Sequence, residues 1–141
     1  MMISANDFYR AAQRPVITDL LQEQLVRRWL CDKRIVTFTA KGNPTKALID
    51  SWGEAMLQTT TTWSPDMPYM SLHHLPITRN LLPYVQDWLD WVESCNSHLY
   101  GRMAVVAPVE IADLLRDVIE HPTLDTEVFE SYSDALAWLK Q

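Results

Sequence analysis

The chain has 141 residues, the size of one domain, and at 48% hydrophobic and 21% charged it can bury a core without disulfide or metal staples. A net charge of -6 and a pI near 5.1 argue against a nucleic-acid partner, which needs a basic face for the phosphates; Arg27-Arg28 is the densest basic feature. No stretch approaches the roughly 20 apolar residues that cross a bilayer, and the opening residues, with Asp7 and Arg10, lack a signal-peptide core, so the expectation is a cytoplasmic protein without a membrane span.

Residues 1–22 read as an N-terminal extension, partly helical. Ser4 followed by Asp7 resembles a capping box for a helix over about 5–13, which ends before Pro15. Residues 17–30 are ambiguous. Ile17, Leu20, Leu21, Leu25 and Trp29 fit a helical stripe, yet QLVRRWL reads equally as a strand. The following RIVTFTAKG is rich in strand formers, which favours a hairpin over about 23–41 with CDK as its turn.

GNPTKALIDSWGEAMLQT predicts a helix, with Asn43 as cap, Pro44 in the first position, and Leu48, Trp52, Ala55 and Met56 inside. Gly53 within it suggests close packing. TTTTW at 59–63 reads as the helix exit. MPYMSLHHL predicts a strand. The longest helix then follows, starting near Thr78 to Leu82 so that Pro83 sits in an early turn, and running to about Cys95. RMAVVAPV has the continuous apolar pattern of a strand covered on both faces. VEIADLLRDVIEHP predicts a helix burying Ile111, Leu114, Leu115, Val118 and Ile119. TEVFESY reads as the last strand, and SDALAWLKQ as a helix capped by Ser133 with Leu136 and Leu139 inside. Strands alternating with helices imply a single α/β domain over residues 23–141, with a mostly parallel sheet of four to five strands and an N-terminal hairpin.

The segments RIVTFTAKGNPT, RMAVVAP and EVFESYSDALAWLKQ, in this element order, resemble the small bacterial STAS-like proteins, which have the fold of anti-sigma-factor antagonists and a looser likeness to CRAL-TRIO-type lipid-binding domains. The resemblance implies a non-enzymatic protein-interaction module, with a regulatory protein partner or a non-polar ligand. Antagonists of this family carry a phosphorylatable serine where the central strand gives way to the next helix. Here that place reads SLHHLPITRN, without the usual Asp-Ser-Ser type of sequence. Thr78 is the nearest hydroxyl, either a phospho-switch or merely a helix cap, and Ser71 lies inside the strand.

His73 and His74 are the most conspicuous polar-site candidates. Adjacent residues of a strand point to opposite faces, so the two do not share a metal ion, and neither His98 nor His121 stands at a ligand spacing. Cys31 and Cys95 make no CxxC pair and read as free thiols. No nucleophile elbow, phosphate-binding glycine loop or dinucleotide fingerprint is present, so no catalytic, cofactor or metal residue is assigned and no cofactor is expected.

The helix over about 78–95 carries the strongest signal. Leu81, Leu82, Val85, Leu89 and Val92 form a core stripe, while Tyr84, Trp88 and Trp91 form a second, aromatic one. Those aromatics either flank the core against a neighbouring helix or make an exposed patch for a homodimer or an apolar ligand. Asp87/Asp90 and Asp113/Asp117 read as solvated surface. The leading expectation is a self-associating interaction module. The alternatives are a carrier of a lipid-like ligand and a small enzyme using His73 or His74.

Overall fold

The computed structural model describes residues 24–141. The expected N-terminal extension, with its Ser4-capped helix, and the Ile17–Leu21 part of the ambiguous stripe lie outside them. Nine regular elements follow in order: β1 (Leu25–Leu30), β2 (Ile35–Ala40), α1 (Lys46–Thr61), β3 (Tyr69–His74), α2 (Leu82–Cys95), β4 (Gly101–Val106), α3 (Val109–Ile119), β5 (Leu124–Phe129) and α4 (Tyr132–Leu139). A 3-10 turn at Arg79–Leu81 leads into α2.

The strands pair in sequence order, β1-β2-β3-β4-β5, with β1 antiparallel to β2 and the other pairs parallel. Each of the three crossovers steps one strand in the same direction. Right-handed crossovers then place α1, α2 and α3 on one face. Their buried side chains form one cluster with Phe38, Tyr69, Met103 and Val128 of the sheet. The opposite face contributes Ile35, Leu72, Ala104 and Val106, which pack with Ala135 and Leu139 of the short α4. Residues Met103 to Val106 of β4 are buried on both sides, as their apolar run implies.

The ambiguity within 25–30 resolves to strand, because β1 pairs along its whole length from Leu25↔Ala40 to Leu30↔Ile35. The turn is Cys31–Arg34, closed by Arg34 N–H donating to Leu30 O at 3.1 Å. Cys31, Asp32 and Lys33 all adopt left-handed φ, 54°, 55° and 68°, which L-residues visit at a cost.

Several boundaries differ from the sequence reading. Thr45, not Asn43, caps α1; it is extended, and its Oγ1 accepts from Leu48 N–H at 3.1 Å. Pro44 keeps Asn43 out of helical conformation, so the helix opens beyond both. At the far end α1 continues to Thr61, with Thr59 Oγ1 donating back to Ala55 O at 2.7 Å. At 16 residues α1 is longer than α2 with 14, which was expected to be the longest. Leu114 is exposed because it sits about 100° round the helix from Leu115; Ala112 takes its place inside. Ser131, not Ser133, caps α4, its Oγ accepting from Asp134 N–H at 3.1 Å.

Gly53 marks the closest helix approach. A Cβ built there would lie 2.0 Å from the Trp88 ring. Alanine would gain about 1 kcal/mol of helix propensity, but overpacking against a fixed indole costs about 1–3 kcal/mol. Gly53→Ala is therefore expected to be net destabilising, and Gly53→Val more so, as read by the midpoint of urea unfolding. An unchanged midpoint for both would show that α2 yields freely.

Candidate functional site

Two groups of side chains stand out on the three-helix side of the sheet, one inside it and one on its surface. Inside, β3 alternation puts Tyr69, Ser71 and His73 on the face under α1, and His74 on the other. His73 is 1% exposed and stacks on Phe38 with ring centroids 5.1 Å apart. Trp52 Nε1–H donates to His73 Nδ1 at 2.8 Å. An indole can only donate, so Nδ1 is the acceptor; Nε2 carries the proton and donates to Ser71 Oγ at 2.9 Å. Burial pushes the His73 pKa down to about 3. Protonating Nδ1 would also set two donors face to face.

Both nitrogens of His73 are thus engaged, Nδ1 tying β3 to Trp52 of α1 and Nε2 bonding Ser71 within β3. Among the described residues the buried Tyr69 hydroxyl has no hydrogen-bond partner, and burial holds it neutral, raising its pKa against the opposing influence of nearby Ser71. Between the sheet and the helices a pocket of about 10 Å³, bordered by Trp52, His73, Ile77, Val85 and Leu115, leaves room for about one water. A sheet whose order never reverses has no switch point, the place where open α/β sheets form a ligand crevice.

His74 is exposed, its ring 6.4 Å from that of Tyr132. His98 is exposed as well. His121 Nδ1 accepts from Thr123 N–H at 3.1 Å and Leu124 N–H at 3.3 Å, forming the bend into β5, and burial lowers its pKa. Thr78 precedes the 3-10 turn and its hydroxyl bonds Asn80 rather than capping a backbone N–H. Cys31 and Cys95 are unpaired and exposed. Among the described residues no group of His, Cys, Asp or Glu is placed to hold a metal ion, and no helix is long and apolar enough to cross a membrane.

On the surface, the structure divides the three aromatics of α2. Trp88 lies over Gly53, and its Nε1–H donates to Asp50 Oδ1 at 3.0 Å. Lys46 Nζ holds the other carboxylate oxygen of Asp50 at 2.7 Å. Lys46 and then Trp88 draw the Asp50 pKa below the usual carboxylate range. The same ammonium sits 5.3 Å from the centroid of the Tyr84 ring. Tyr84 is 37% exposed and Trp91 is 56% exposed, the latter preceded by exposed Asp87 and Asp90. Residues 82–95 carry Asp87, Asp90 and Glu93 and no Lys or Arg.

Sequence reasoning treated Trp52 as core and Ser71 only as a strand residue, and so missed the network they make with His73. It also missed an open groove on the opposite face of the sheet. That groove, of about 780 Å³, is lined among others by Arg34, Ile35, Met67, Met70, Leu139 and Lys140. Its residues come from separated parts of the chain and share no motif. The exposed Met67 is its nearest sequence signal.

Compared with protein-family models, curated proteins and solved structures, the chain matches none.

The His73 network makes stability depend on pH in a defined sense. The folded pKa lies near 3, below the ordinary value of 6.5, so between these values the unfolded chain binds the extra proton. The contribution is complete above pH 6.5 and falls by about 1.4 kcal/mol per pH unit on acidification through this window. His73→Leu is expected to cost about 1–3 kcal/mol at pH 7, by orphaning the Trp52 donor. It is also expected to flatten the pH dependence relative to wild type. Equal slopes for the two proteins in urea unfolding at pH 4.5–7 would refute the assignment.

Proposed function

We propose that the protein is a non-enzymatic interaction module that self-associates through α2. The observation that carries this reading is Trp91: a large aromatic left more than half exposed on a helix whose other aromatics are engaged by α1. Exposed Trp and Tyr side chains are the anchors that interfaces favour, because they bring large rigid area at low entropic cost. The exposed Tyr84 extends the same ridge toward the start of the helix. The resemblance to STAS-like modules agrees with this reading, and a regulatory protein partner remains compatible with it.

The carrier reading draws less support. A lipid tail needs an enclosing pocket of about 300 Å³ or more; the space between the sheet and α1–α3 is about 10 Å³, and the groove of about 780 Å³ on the other face is open to solvent. For an enzyme, His73 has both ring nitrogens engaged within the core and a strongly lowered pKa, while His74 is exposed on the other face of the sheet beside Tyr132.

Sedimentation equilibrium tests the proposal. The protein is expected to form dimers or larger species at micromolar concentration. Trp91→Ala should weaken that association by at least about tenfold, as a central aromatic does, with little change in thermal midpoint. A wild-type protein that stays monomeric up to hundreds of micromolar would sink the proposal.

A further inference from the structure

We infer that Trp91 of one molecule seats in the Arg34–Met70–Lys140 groove of a second copy, so that the chain associates head to tail. This rests on the proposal that α2 is a self-association surface, and it specifies what α2 meets.

A symmetric pairing of α2 with α2 is opposed by charge. Paired through Trp91, it would bring Asp87 and Asp90 up against the same two carboxylates, with no Lys or Arg on the helix to separate them. The groove has the complementary character. Ile35, Met67, Met70 and Leu139 supply apolar surface, and methionine adapts readily to an inserted ring. Arg34 and Lys140, both exposed, supply positive charge for Asp87 and Asp90, against one acid, Asp32, among the described lining side chains. At about 780 Å³ the groove is within the range that accepts a group of this size. The aromatic ridge already accommodates a cation from its own chain, since Lys46 lies over Tyr84.

The two surfaces are on opposite faces of one sheet. α2 belongs to the cluster that includes Phe38 and Met103, whereas Ile35, Met70 and Leu139 belong with the one under α4. A two-fold axis cannot engage both surfaces in one contact, so the association is heterologous and each molecule retains one free half.

Sedimentation velocity of the full chain tests this, with circular dichroism to confirm that each variant is folded. The wild-type sedimentation coefficient is expected to rise with concentration beyond that of a dimer and to fall at high salt. Trp91→Ala alone, and Arg34→Glu with Lys140→Glu alone, should each sediment as monomers. An equal mixture should form a one-to-one dimer that grows no further, because each variant supplies one intact half. If the Arg34/Lys140 variant associates like wild type while Trp91→Ala does not, α2 self-association stands and the groove is wrong. A mixture that stays monomeric also overturns the inference. If Trp91→Ala associates like wild type, the α2 proposal itself falls, and this inference with it.

Discussion

Handedness is the constraint on which the rest of this molecule depends. Crossovers between parallel strands turn to the right, and here each one moves to the next strand in line. Three helices are thereby committed to one side of the sheet, and α4 is left to pack on the other. The pairing of α1 with α2, the burial of His73 beneath α1, and the exposure of the outer edge of α2 all follow from that one-sided arrangement. So does the open groove, which forms where α4 ends and the sheet's second face meets the β1–β2 turn.

Within the three-helix layer, two neighbouring residues of α1 fix the geometry in two directions. Trp52 points to the sheet and ties the helix to His73. Gly53 points sideways and lets Trp88 lie against the helix backbone. The first contact sets the height of α1 over β3, and the second sets its distance from α2. Both are directional, unlike the surrounding aliphatic packing, and the polar one is worth keeping only when fully satisfied. His73 meets that condition through Ser71. The residue that looked most chemical in the sequence serves as a joint between two elements.

Much of the architecture could be read from local pattern. The apolar run of β4, the β-branched run of β2, and the opposite facing of His73 and His74 each depend on periodicity alone, and the structure has all three. Cap positions were harder, because Asn43, Thr45, Ser131 and Ser133 are all competent capping residues. The choice among them depends on backbone angles that their neighbours impose. Leu114 was misplaced because an aliphatic residue beside a stripe looks like part of it. The Trp52–His73 bond spans 21 residues and a crossover, so no local pattern announces it. Trp88 and Trp91 also lie close together on a helical wheel, and what distinguishes them is the missing side chain at Gly53 on another helix.

The sequential strand order also bears on how the chain acquires its structure. Parallel sheets usually fold slowly, since strands distant in sequence must meet before their contacts repay the closure of the intervening chain. Here every partner is the next strand along. The registers Val36↔Ser71, Tyr69↔Gly101 and Gly101↔Leu124 each close a single strand–helix unit, and the hairpin closes a shorter loop still. Contact order is therefore low for a sheet of this type, and the chain can condense one unit at a time onto the growing edge without threading a strand between two already formed.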